Sequence, residues 1–160
     1  MYKLAFWSSV ILTALIAGSL DLFGAILSFK ASRGTFPVNI LKYIAGGVLK
    51  GRAMEGGAEM HFLGGVLHFF IAFIWTFIFY TLYPRLKMLQ IHSIVVMVLW
   101  GIIIWSVMNL VVLPLSAWRA PISFQNPWEI TKAVFILIFC VAAPIVWRAE
   151  NYYKSKMAKM

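Results

Sequence analysis

The chain has 160 residues, 62% of them hydrophobic and 12% charged, with a net charge of +9. Soluble domains carry about 45–50% apolar and about 25% charged residues, and one domain of this length has too little interior to hide the excess, so lipid must solvate much of it. A free cytosolic enzyme, a disulfide-stapled secreted domain and a disordered tail are thereby excluded. So is nucleic acid as a partner, because most basic residues flank apolar runs, where they meet anionic lipid headgroups.

The first apolar run, Leu4 to Phe29, is interrupted only by Asp21. Lys3 and the small residues Ala17, Gly18 and Ser19 imitate a cleaved leader, but the run resumes after Asp21. Ala14, Ala17, Asp21, Ala25 and Ser28 share one helix face suited to close packing, so the run is read as a retained span. The first loop, Lys30 to Glu59, holds Gly46, Gly47, Gly51, Gly56 and Gly57, and Leu41, Ile44 and Val48 recur in it at helical spacing. That pattern predicts a short amphipathic or re-entrant helix over about 38–50. Gly-Gly-Val-Leu occurs at Gly46 to Leu49 and again at Gly64 to Leu67, too short a match to be a repeat.

The second span is predicted over 60–83, followed by a tight turn from Pro84 to Gln90. The third is predicted over 91–117 and the fourth over 128–147, with Pro121 and Pro127 breaking helix on either side of the loop between them. Each run meets the roughly 20 residues needed to cross ~30 Å of hydrocarbon. Residues 148–160 form a basic tail. Cys140 is the only cysteine, which excludes an internal disulfide, a thiol redox pair and a Cys-rich metal site. The expected fold is an all-α, single-domain, four-helix integral membrane bundle. Lys and Arg near the span ends favour both termini on the cytoplasmic side.

Four polar residues fall in the membrane half facing the first and third loops: Asp21, His68, Asn109 and Lys132. His68 shares a stripe with Gly64, Ala72 and Thr76, and Asn109 shares one with Ser106 and Ser116, which marks helix contact rather than lipid. A charged Asp in mid-span costs ~3 kcal/mol on insertion scales, so Asp21 needs a partner, and Lys132 or His68 is the expected one. Glu55, Glu59 and His61 gather where the first loop re-enters the membrane and suggest a vestibule or a weak metal site, or else a solvated helix start rich in acids. No paired His for haem, phosphate loop, zincin pair or nucleophile elbow is present, so no catalytic residue, cofactor or resident metal is expected.

The Gly-rich approach to the second span, Gly56 to His68, and the basic end of the last, Trp147-Arg148-Ala149-Glu150, resemble YagU-like small four-span bacterial inner-membrane proteins. The resemblance implies a bacterial inner membrane and carries no activity, substrate or catalytic residue. Three functions fit the sequence. The first is an accessory or interaction subunit of a membrane complex. Its alternative is a homo-oligomeric proton-coupled transporter or channel built on the Asp/His/Asn/Lys cluster. The third is a lipid- or quinone-binding protein with Trp75, Trp100 and Trp105 beside His68. Expected partners are membrane lipids and either further copies of the chain or other membrane subunits.

Overall fold

The computed structural model describes residues 2–88, 92–119 and 126–157, and every regular element within them is helical. Helix α1 spans Tyr2–Arg33, α2 Ile40–Leu49, α3 Arg52–Glu55 and α4 Ala58–Met88. Helix α5 (Ser93–Val107) runs through a π turn at Met108–Val112 into α6 (Leu113–Leu115). Helix α7 (Pro127–Ile136) runs through a second π turn at Leu137–Ala142 into α8 (Ala143–Met157). Four continuous segments are long and apolar enough to cross a membrane: Ala5–Arg33, Ala58–Leu86, Ser93–Leu115 and Pro127–Met157. Helix is enforced even in α5, rich in the weak helix formers Val and Ile, because hydrocarbon offers backbone polar groups no other partner.

Both π turns lie just before a proline, Pro114 and Pro144. A proline has no N–H to give and crowds the preceding turn, and widening that turn relieves the clash. In each turn the ladder shows the wider step, with Leu113 N–H donating to the Met108 carbonyl and Ala143 N–H to that of Ile138.

Pro84 was expected to end the second span, yet α4 continues through it to Met88. The missing proline N–H frees the Tyr80 carbonyl one turn earlier. The Tyr153 hydroxyl, from α8, donates to that carbonyl at 2.8 Å. A side chain from another span thus satisfies the orphan group, as hydrocarbon requires. The start of the third span at Ile91, Pro121 of the third loop and the last three tail residues lie outside the described residues. The first span reaches Arg33 rather than Phe29, and the fourth carries helix through Trp147 to Met157.

Small residues set the packing. A Cβ on Gly18 would stand 2.9 Å from the Phe69 ring, and one on Gly24 3.0 Å from Ile136. A Cβ on Gly101 would strike both the side chain and the backbone of Ile138, inside the second π turn. The fourth span therefore packs against the first at Gly24 and the third at Gly101, while the first meets the second at Gly18. Val10, Ala17, Phe79, Tyr80, Ile104, Ala142 and Ile145 form the core, and Phe23, Phe62, Ile94 and Phe139 face outward to lipid.

Helix α2 occupies the predicted first-loop position, but it is seated on the bundle. A Cβ on Gly64 would overlap the Leu41 carbonyl, and one on Gly46 would overlap the Trp118 ring. Trp118 Nε1 donates to the Tyr43 carbonyl at 2.9 Å and stacks on the Tyr43 ring, and Ala117 N–H donates to Gly47 at 2.7 Å. The first and third loops are thereby joined over one end of the bundle. The twice-occurring Gly-Gly string supplies both close contacts.

Candidate functional site

Beneath α2 lies a cavity of about 230 Å³. Its polar side chains are Asp21 of α1 and His68 of α4; Trp75, Ile104, Met108, Leu137 and Val141 form much of the apolar wall, and Ile44 of α2 contributes from the loop side. Asp21 is placed by its neighbours on α1. Gly18 draws α4 close on one side, Gly24 draws the fourth span close on the other, and Asp21 sits between these two crossings. Ala14 and Ala17 on the same face are buried, as the small-residue stripe predicts.

His68 Nε2 stands 2.8 Å from the Gly18 carbonyl oxygen. A carbonyl only accepts, so Nε2 carries the hydrogen and donates. This fixes the neutral tautomer and leaves Nδ1 as the nitrogen that can take up or give a proton. Asp21 and His68 line the same cavity, and the Cys140 Sγ of the fourth span lies close to Gly24 on α1. Thus the structure brings together Asp21 and His68, one of the two pairings the sequence allowed.

Lys132 is elsewhere. Its Nζ donates to Glu129 Oε1 at 2.7 Å and to Ser32 Oγ at 2.6 Å, near the Trp128 ring. The expected Asp21–Lys132 pair is therefore corrected to a local Lys132–Glu129 pair one turn apart, at the loop end of the fourth span. The long stem snorkels to a polar surface, where the ammonium stays partly hydrated. Asn109 also leaves the cluster. Its Nδ2, inside the first π turn, donates at 2.9 Å to the Trp105 carbonyl of its own span, and its neighbour Met108 lines the cavity instead.

Glu59 and His61 meet on the backbone of Gly57, while Glu55 stands at the end of α3. Glu59 Oε1 accepts the Gly57 N–H at 2.6 Å, closing the start of α4 on itself. His61 Nε2 lies 3.2 Å from the Val38 carbonyl and ties the loop before α2 to α4. Glu55 is exposed at the end of α3. Among the described residues no three His, Cys, Asp or Glu stand close enough to hold a metal ion. Of the three tryptophans expected beside His68, Trp75 lines the cavity, while Trp100, edge-on to the Trp75 ring at 5.6 Å, and Trp105 are not among the lining residues.

A second polar assembly, on the other side of the core, escaped the sequence reading. Thr13, fully buried, donates to the Ser9 carbonyl at 2.7 Å, so its oxygen accepts from Arg148 Nε at 2.9 Å and from the Tyr80 hydroxyl at 2.9 Å. The proton of Tyr80 is thereby used, and Ser9 Oγ donates to it at 3.1 Å. First, second and fourth spans are joined through one threonine oxygen. Ser9 and Thr13, four apart in an apolar run, were the available signal. Tyr80 reads as an interfacial aromatic and Arg148 as tail, so nothing in sequence joins them.

Fold and site together define a multi-pass, all-α membrane protein with Asp21 and His68 lining one cavity. No protein-family model, curated protein or solved structure matches the chain.

Proposed function

We propose that this protein is a small proton-coupled membrane transporter, working as a homo-oligomer, with Asp21 and His68 as the proton site. The observation that carries the reading is their shared cavity of about 230 Å³ under α2. A carboxyl and an imidazole in an apolar setting hold one proton between them at little electrostatic cost, and intramembrane acids of this kind commonly serve proton relays. Gates are at hand on either side: α2 with Ile44 toward the loops, and the Thr13–Tyr80–Arg148 assembly toward the opposite surface. Four spans give little wall for a wide path, which is why several copies are invoked. The resemblance to YagU-like proteins supports a bacterial inner membrane.

The test is reconstitution into liposomes containing a trapped pH dye. Small solutes of different classes (amino acids, organic cations, organic anions, sugars) are added outside one at a time. One class should drive a change of internal pH that Asp21→Asn abolishes. If no class does so, and wild type equals Asp21→Asn throughout, the reading fails. A stoichiometric second protein in native mass spectrometry of gently extracted material would put an accessory-subunit role in its place.

A further inference from the structure

We propose that the cavity takes a small organic ammonium ion, which enters as the proton of the Asp21–His68 pair leaves. The proposal rests on the transporter reading and names its substrate class.

Charge decides the class. From α1 the cavity receives the Asp21 carboxyl and from α4 the His68 ring. The fourth span adds only Leu137 and Val141, with the Cys140 thiol outside the lining and close to Gly24, while the third span and α2 add only Ile104, Met108 and Ile44. Neither nearby fixed cation reaches it. Arg148 is bonded to Thr13, about 12 Å along α1 from Asp21 by helix rise, and Lys132 to Ser32, about 17 Å the other way. With one proton the pair is neutral overall; without it the cavity carries a net negative charge. An anion is repelled from the second state and finds no net positive charge in the first. A cation neutralises the deprotonated pair, so proton and cation exclude each other one for one.

Lining chemistry separates an organic cation from a metal ion. A hard metal ion wants six or more oxygen ligands. Here the Gly18 carbonyl is already engaged by His68, and the Asp21 carboxyl is the one charged oxygen donor on the wall. Most of the remaining wall is aliphatic, with the Trp75 indole and the Met108 thioether. An indole attracts an ammonium, and aliphatic groups solvate its methyl or methylene groups. Size sets the upper bound. A dry cavity of about 150 Å³ holds benzene, so scaling to this one allows about nine non-hydrogen atoms.

Choline and its uncharged isostere 3,3-dimethylbutanol test the proposal, both within that bound. Labelled choline is equilibrated with the purified full-length protein in lipid nanodiscs over a pH series. In wild type its affinity should rise about tenfold per pH unit while the pair is still protonated, as competition with one proton demands. The alcohol should compete at least about tenfold more weakly and without pH dependence. Asp21→Asn should abolish choline binding. Because that variant can fail to fold, the wild-type pH series and isostere comparison carry the test without it. Equal competition by the alcohol with no pH dependence overturns the ammonium assignment and leaves an apolar pocket. Absence of choline binding, with proton flux driven by some other solute class, also overturns it while the transporter reading stands. If no solute drives flux, the transporter reading fails first.

Discussion

Replacing Tyr153 by Phe should matter only while Pro84 is present. Pro84 deprives the Tyr80 carbonyl of its helical donor, and the Tyr153 hydroxyl takes that place at 2.8 Å. Phe keeps the ring, and with it the stack on Tyr83 at 5.3 Å, so the substitution removes one hydrogen bond and little packing. An interhelical hydrogen bond in a membrane bundle contributes about 0.6 kcal/mol on average and up to about 1.7. This one approaches the upper figure, because its loss leaves a carbonyl with no partner inside the bundle. Pro84→Ala supplies the N–H and removes the need. The cycle of single and double variants should therefore give Tyr153→Phe a cost of about 1–1.5 kcal/mol beside Pro84 and close to zero beside Ala, a coupling of about 1 kcal/mol. Unfolding in mixed micelles of increasing SDS, followed by circular dichroism at fixed lipid-detergent content, measures each corner. An equal cost of Tyr153→Phe in both backgrounds would refute the explanation for the uninterrupted α4.

Two further predictions concern the loop helix and the misplaced lysine. Gly64→Ala should unseat α2, because the added Cβ meets the Leu41 backbone, whereas at Gly65 nothing lies within 4 Å. Gly65→Ala should instead stabilise α4 by up to about 1 kcal/mol through helix propensity, and hydrogen exchange across residues 40–49 should rise only in the Gly64 variant. Lys132→Met should cost no more than about 1 kcal/mol, as expected for a partly exposed pair with Glu129. Its effect should add to that of Asp21→Asn; rescue of one by the other in expression or unfolding assays would restore the ion pair that the structure replaces.

Depth along a span was legible in sequence, because rise per residue is constant, but azimuth and reach were not. Asp21, His68, Asn109 and Lys132 all fall in one half of the membrane by counting residues. Only two of them meet. Lys132 has a stem long enough to leave its depth for the polar surface, and Asn109 lies at a π turn, where the 3.6-residue periodicity used to assign faces no longer holds. Pro84 misled in the same way: a proline rule drawn from an isolated helix cannot anticipate a donor arriving from another span.

The sequence by itself determined that this chain is a four-span helical membrane protein with an extra helix in its first loop. Those features depend on the length of apolar runs and on the need of backbone groups in lipid to find partners inside the protein, which a helix supplies for most of them along its own length. Tertiary structure alone decided that α2 is held against the bundle by Gly64 and Gly46, and that Thr13 joins Arg148 to Tyr80. It also decided that Asp21 shares its cavity with His68. Such choices turn on which small residues let two backbones approach and on which donors then come within 3 Å, quantities fixed between helices and absent from the pattern along any one of them.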